Sequence, residues 1–310
     1  MALIVTGTIG IDSVYTPAGH AEKVLGGSAT YFAVAASFLG KVRLVAAVGG
    51  DFPPEFSRLL KSYKAIDTKG LEVRPNSKTF AWGGKYKPDM NSRDTLFTEL
   101  GVLAEAPPAV PTSFADSKFV FLANTHPAVQ AQLLSSFPKR RLAVADTMDL
   151  WINTARPQLC DLLRQIDGLV LNYDEAELFT GKKNPVTAAR HILAEFTQGK
   201  KGLQFVVVKK GEHGCLLIHK EGIAALPAYP AEKVIDPTGA GDTFAGGFMG
   251  HLATIAGSRP ITLDLLRKAA ATGTVMASFN IEAFSLNRLR TLKKPEILKR
   301  VKEFAKMVRV

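Results

Sequence analysis

Asp236-Pro237-Thr238-Gly239-Ala240-Gly241-Asp242-Thr243-Phe244-Ala245-Gly246-Gly247-Phe248 is the stretch on which the reading of this chain turns. The apolar pair Val234-Ile235 ahead of it ends a strand, and its glycines make a turn that opens a helix of small residues. A helix begun in this way leaves its first backbone N–H groups unpaired and converging, and the helix dipole adds positive potential there. A phosphoryl group binds naturally at such a point. Gly239 and Gly241 let the backbone approach it with no Cβ between. Asp242 is the odd member, because a carboxylate repels phosphate. It makes sense as a base that takes the proton of an acceptor hydroxyl while the amides stabilise the phosphoryl group in transfer. A plain helix cap is the other reading of the same residue. Gly246-Gly247 inside a helix is costly unless something packs closely there, which points to a crowded, ligand-facing element.

Outward from this turn, short apolar runs alternate with helical patterns, as in a layered α/β fold with a mostly parallel sheet. Leu3–Thr6, Val42–Val48, Phe119–Leu122, Leu142–Ala145, Gly168–Leu171 and Phe205–Val208 suit buried parallel strands. Ala29–Leu39, Pro54–Tyr63, Ala128–Phe137, Glu175–Thr180 and Val186–Phe196 suit helices, with Gly181 placed as a C-cap. Leu216–Ile218 and Gly222–Leu226 read as an antiparallel pair near one sheet edge, and Ala240–Phe279 as helical apart from a break at Gly257-Ser258-Arg259-Pro260. Residues 11–25 and 71–100 lack helical periodicity and carry turn-rich sequence. They read as strands of a small second sheet, a lid on a single domain over residues 1–310, with Pro107-Pro108 and Pro111 marking the way back to the main body.

The 310 residues are 46% hydrophobic and 22% charged, with no apolar run of the roughly 20 residues that span a bilayer. No membrane association is expected. The start, Met1-Ala2-Leu3-Ile4-Val5, lacks a basic n-region and reads as a first strand rather than a signal peptide. Two cysteines in unrelated contexts and six scattered histidines give neither a disulfide framework nor a metal cluster of protein ligands, and a cytoplasmic location is expected. Magnesium carried in on a nucleotide remains open. The net charge of +11 could mark a nucleic-acid surface. Much of it, however, lies in a C-terminal amphipathic pattern in which Lys293, Lys294, Lys299, Arg300, Lys302 and Lys306 alternate with Ile297, Leu298, Val301 and Phe304. A solvated helix face accounts for that, so no nucleic-acid partner is expected.

The Asp236–Phe248 stretch closely resembles the C-terminal signature of the ribokinase or PfkB carbohydrate-kinase family, and other segments follow in that family's order. The dinucleotide-binding and P-loop motifs are both absent. The resemblance implies a ribokinase-like three-layer α/β/α sandwich with a small β-sheet lid, and an ATP- and Mg2+-dependent kinase acting on a primary hydroxyl of a small sugar. A nucleoside kinase of the same family is the alternative, and a non-catalytic ligand-binding homologue a third reading. It places the catalytic base on Asp242 and the anion hole on Gly239, Ala240 and Gly241. Asp12, after the first strand, takes the role of an acceptor of sugar hydroxyls. Gly26-Gly27-Ser28 resembles the diglycine that closes on substrate, and also reads as a plain turn before a helix. Asn172-Tyr173-Asp174-Glu175 resembles the element in which Asn172 and Glu175 organise hydrated Mg2+, and also reads as a helix start with acidic residues in its first turn. Val208–Gly214 resembles the strand–turn whose glycines, here Gly211 and Gly214, line the nucleotide site, and Lys209 or Lys210 could reach a phosphate or remain solvated. His213 reads as a turn residue. Asp236 and Thr238 match positions that help bind a monovalent cation, K+, in several members. Ala269–Ile281 lies where adenine would be covered, or in the core.

The substrate side departs from ribokinases. Gly10 and Tyr31 stand where asparagines are expected, and Asn124-Thr125-His126-Pro127 where an acidic sugar contact is expected. Losing polar contacts and gaining an aromatic argues against ribose; a Tyr31 ring stacked on substrate would suit a nucleoside or modified sugar. Trp82, Lys85, Tyr86 and Arg93 in the lid either touch substrate or pack a small sheet. Exposed lid edges pair readily with another chain, which points to a homodimer.

Overall fold

The computed structural model describes residues 1–198 and 201–308. In chain order the strands are β1 Leu3–Thr6, β2 Gly10–Thr16, β3 Gly19–Gly26, β4 Val42–Gly49, β5 Ile66–Arg74, β6 Phe80–Tyr86, β7 Arg93–Glu99, β8 Phe119–Leu122, β9 Leu142–Asp146, β10 Gly168–Asn172, the two-residue β11 Thr197–Gln198 and β12 Lys201–Gly202, then β13 Phe205–Lys209, β14 Cys215–His219 and β15 Gly222–Leu226. The helices are α1 Ser28–Ser37, α2 Pro54–Ser62, α3 Pro127–Ser135, α4 Asp149–Thr154, α5 Arg156–Leu163, α6 Tyr173–Thr180, α7 Pro185–Phe196, α8 Ala240–Ile255, α9 Leu263–Asn280, α10 Asn287–Thr291 and α11 Lys294–Met307.

Nine strands form one sheet in the order β15-β14-β13-β10-β9-β8-β1-β4-β5. Its neighbours run parallel from β13 to β5, while β14 and β15 add an antiparallel edge. Alternation along the strands feeds two cores. Leu3, Val5, Phe119, Phe121 and Val144 point to one face, where α1, α8 and α9 pack. Ile4, Val120, Leu122, Ala143 and Ala145 point to the other, against α3, α5, α6 and α7. Strands buried on both faces read as continuous apolar runs, and this is why they were recognisable. The result is the three-layer sandwich.

The second sheet, β3-β2-β6-β7, projects from the carboxyl ends of the large sheet's strands. Its outer pairs are antiparallel and its central pair, β2 with β6, is parallel. One boundary differs from the sequence reading. Leu71–Arg74 do not join the small sheet but continue β5, paired in register with Ala46–Gly49 of β4. Their run of charged and apolar residues suits an edge strand covered on one face only.

Gly246 and Gly247 also have a different explanation from the expected one. A Cβ at Gly246 would crowd the Phe32 carbonyl and Ala35, and one at Gly247 would meet Met276 Cγ at 2.9 Å and Gly273 Cα at 3.0 Å. The glycines let α8 press against α1 and α9, so they serve helix packing rather than a ligand.

Candidate active site

In an open parallel sheet, ligands bind beyond the carboxyl ends of the strands. Here those ends deliver Gly7 after β1, Asn124 after β8, Asp146 at the end of β9, Asn172 at the end of β10 and Lys209 at the end of β13. The helix α8 starts above them, and the small sheet stands over the opening.

The Asp236–Asp242 turn is held from several sides. Asp236 is buried and accepts from the amides of Thr238 (2.8 Å) and Ser285 (3.2 Å). Asn280, at the end of α9, donates to the Thr238 carbonyl at 2.7 Å and lies 3.2 Å from the Thr243 hydroxyl. Gly239 takes a left-handed φ of 73° as the N-cap of α8, a conformation that glycine adopts without strain. The Ala240 amide is not free, because it donates to the Pro237 carbonyl at 3.1 Å. The expected hole of Gly239, Ala240 and Gly241 therefore narrows to the amides of Gly239 and Gly241, for which no acceptor is found among the described residues. Lys209 fills in the charge. A Cβ added at Gly241 would stand 2.6 Å from its Nζ, so the ammonium lies against this turn rather than in solvent.

Asp242 sits half-buried in the first turn of α8. Burial pushes its pKa up to about 6 against the opposing pull of Lys209 and Arg93. That value suits a group that must accept a proton near neutral pH. Asp12, on β2, is 4% exposed, and burial raises it to about 7, with Asp236 and Asp242 adding to the rise. Its Oδ1 has no hydrogen-bond partner among the described residues. An unsatisfied buried carboxylate oxygen is costly, and an incoming hydroxyl group would relieve it. The diglycine makes room for it: a Cβ at Gly26 would overlap the Asp12 carboxylate. Gly27, at a φ of 93°, leaves no space for a side chain beside the Thr8–Gly10 backbone.

Asn172 and Glu175 form a reciprocal helix cap: the Glu175 amide donates to Asn172 Oδ1 at 2.7 Å, and the Asn172 amide to Glu175 Oε2 at 2.7 Å. The helix-start reading thus holds for this pair. Burial raises the Glu175 pKa, opposed by the charges of Lys209 and Arg93. Asp146 went unremarked in the sequence, where it looks like a residue just past a strand. It is 5% exposed and its Oδ1 has no hydrogen-bond partner among the described residues. Burial and the neighbouring Asp242 raise it well above the ordinary carboxylate range. Nothing in one sequence separates such an aspartate from an ordinary turn residue.

Two expected substrate contacts are occupied elsewhere. Tyr31 is 1% exposed, and a Cβ at Gly239 would fall within van der Waals contact of its ring. The ring supports the turn from below and offers no stacking face. Asn124 turns inward, accepting from the Trp151 indole at 2.9 Å and donating to Met148 Sδ at 3.0 Å. The available aromatic face lies on the small sheet. Gly10 pairs with Phe80 and Asp12 with Trp82 in parallel register, which puts both rings on the face of Asp12. A Cβ at Gly10 would meet Phe80 Cδ1 at 2.9 Å. The ring of Phe80 takes the space that a side chain at position 10 would fill. Gly211 and Gly214 bound a 3-10 turn after β13, both at positive φ, with His213 exposed within it.

Backbone amides without an acceptor beside a carboxylate of raised pKa, under a small sheet, are an arrangement that suits phosphoryl transfer. The family model described as pfkB family carbohydrate kinase matches residues 11–289. The chain belongs to the pfkB carbohydrate-kinase family. Within that family it is 32% identical over 255 residues to the cytidine kinase of Thermococcus kodakarensis, covering 80% of this chain and 87% of that protein. It is 25% identical over 289 residues to the 2-dehydro-3-deoxygluconokinase of Thermoproteus tenax, covering 81% and 80%. Its fold matches the crystal structure of the Methanocaldococcus jannaschii nucleoside kinase, an archaeal member of the ribokinase family, with a TM-score of 0.75 at 21% identity over 97% of this chain and 98% of that one. The chain is thus an ATP-dependent kinase of small sugars or nucleosides. Among the described residues no helix is long and apolar enough to cross a membrane.

Proposed function

We propose that the chain transfers the γ-phosphoryl group of ATP to a primary hydroxyl of a nucleoside, with Asp242 as the general base. The observation that carries the chemistry is the meeting at the start of α8 of a carboxylate of raised pKa, the Lys209 ammonium and backbone amides without an acceptor. Asp12 accepts from ring hydroxyls and orients the acceptor. Asp242 removes the proton as the oxygen attacks phosphorus, and the Gly239 and Gly241 amides with Lys209 stabilise the charge on the transferring group. ADP departs with the electron pair of the broken P–O bond.

Mg2+ fits the donor set, because the unpartnered Asp146 Oδ1 and the carboxylate of Glu175 supply hard oxygens on the phosphate side. Bound with the nucleotide, it would neutralise phosphate charge. Asp146, Asn172 and Glu175 would hold its water shell, while Gly211 and Gly214 would border the nucleotide. A K+ ion beside Asp236 and Thr238 belongs to the same proposal, and replacing K+ by Na+ in the assay tests it.

The nucleoside acceptor is favoured over a free sugar by Phe80 and Trp82, which share a face with Asp12. Rings of this kind bury a planar base well, whereas a hexose needs more hydrogen bonds. Similarity to a cytidine kinase supports the same choice. ADP release measured across cytidine, uridine, adenosine, inosine, ribose, fructose and 2-dehydro-3-deoxygluconate decides it. Turnover confined to the sugars refutes the nucleoside assignment, and no turnover with any of them refutes this set of acceptors. A dimer through β7, one of the two edge strands of the small sheet, is also proposed. All seven of its residues are exposed, Leu96 and Phe97 among them, and light scattering tests it. The free Cys160 and Cys215 accord with a cytoplasmic location.

A further inference from the structure

We propose that Arg93 is a catalytic residue, brought to the transferring phosphoryl group by the β6–β7 hairpin opposite Lys209. The inference rests on the transfer at the Gly239–Asp242 turn argued above.

The hairpin is pinned at two points on the phosphate side of the opening. Where the two strands meet the turn, Tyr86 pairs with Arg93, and the Thr238 hydroxyl donates to the Tyr86 phenol at 3.3 Å. At its tip, Asn91 Nδ2 donates to Glu212 Oε2 at 3.0 Å. The Asn91 Oδ1 lies so near Gly211 that a Cβ there would stand 2.7 Å from it. The tip therefore spans from the phosphate turn to the loop after β13. It is shaped for this locally: the amides of Asn91 and Ser92 donate to Asp89 Oδ1, and Met90 takes a φ of 56°.

Arg93 follows directly on that tip. It is exposed, makes no ion pair among the described residues, and lies 5.7 Å from the Trp82 ring, on the face that carries Asp12. The hairpin's neighbouring cation, Lys87, is by contrast matched with Asp94 at 3.6 Å. An unpaired guanidinium near two half-buried carboxylates, Asp242 and Glu175, whose burial-raised pKa values it opposes, has a use if a third anion joins them. The phosphoryl group in transfer is that anion. Its equatorial oxygens gain charge in the transition state, and a planar fork of donors fits two of them at once. Lys209 lies against Gly241 from the large sheet, so the two cations come from separate sheets. Arg93 forms and breaks no covalent bond; it donates hydrogen bonds while the proton passes to Asp242.

The test is steady-state kinetics of Arg93→Ala and Arg93→Lys in the full chain, with Mg-ATP and cytidine and then with the other acceptors of the panel. Arg93→Ala should lower kcat by about a hundredfold or more, with KM for ATP changed by less than about tenfold. Arg93→Lys should recover part of that loss. The groups facing Asp242 are Lys209 on β13, Arg93 on β7, Asp146 on β9 and Asp12 on β2. Removing one of the two cations raises the Asp242 pKa, so the acid limb of kcat/KM in Arg93→Ala should move to higher pH. A kcat within about threefold of wild type, with an unmoved acid limb, would overturn the role of Arg93. If Asp242→Asn were also fully active, the fault would lie in the underlying mechanism instead.

Discussion

The ring of Tyr31 lies directly beneath the Cα of Gly239, leaving no room for a methyl group between them. This contact joins α1 to the phosphate turn, and it decides what position 239 can hold. Gly239→Ala would meet both the ring and a left-handed φ of 73°. Its cost should be about 1–3 kcal/mol, read as a lower urea midpoint, with a loss of ATP binding as the turn moves. Tyr31→Phe is expected to behave in the opposite way. Its hydroxyl is buried with no hydrogen-bond partner among the described residues, so its removal should leave the midpoint unchanged or raised.

Asp12 gives a stability prediction with a definite sign. Burial raises its pKa from 3.8 to about 7 in the folded protein, so folding favours the protonated form. Its favourable contribution is complete below about pH 3.8 and is lost as pH rises through about 7. Asp12→Asn should therefore raise the melting temperature relative to wild type at pH 8, and this advantage should shrink toward pH 4. Thermal scans across that window check it. A constant difference at every pH would contradict the buried, raised carboxylate.

Asn172 and Glu175 should separate into two kinds of defect. Asn172→Ala removes a cap and should cost about 1 kcal/mol of stability, measured by denaturant unfolding. Glu175→Gln keeps an oxygen for the Asn172 amide but removes the charge. It should leave the unfolding midpoint nearly unchanged while raising the Mg2+ concentration needed for half-maximal rate.

The acceptor face makes a further prediction. Phe80→Ala should raise KM for a nucleoside by roughly tenfold or more, in line with about 1.5–3 kcal/mol for a large buried apolar side chain, with little effect on KM for ATP. Gly10→Asn should do the same by displacing the Phe80 ring. A change in KM for ATP alone would remove both residues from the acceptor site.

Much of this was legible in the chain because the physics is local. The strands of the large sheet are apolar on both faces, so runs such as Phe119–Leu122 declare themselves. The Gly239–Asp242 turn takes its shape from a left-handed glycine at the start of α8, which residue type fixes. What was hidden depends on contacts across the fold. Tyr31 looked like a free ring, yet Gly239, more than 200 positions away, covers it. Asn124 looked polar and available, but Trp151 and Met148 take up its amide. Asp146 is distinguished only by the burial of its Oδ1. Leu71–Arg74 were assigned to the wrong sheet because pairing partners, not composition, decide the membership of an edge strand.

The central claim is that Asp242 accepts the proton of the attacking hydroxyl, and single-turnover phosphoryl transfer by Asp242→Asn tests it most directly. With Mg-ATP and an active acceptor, the variant should transfer about a hundred- to ten-thousandfold more slowly while binding ATP with little change. In the wild type kcat/KM should fall with decreasing pH through about 6. An Asp242→Asn enzyme that transfers phosphate at close to the wild-type rate would contradict the account.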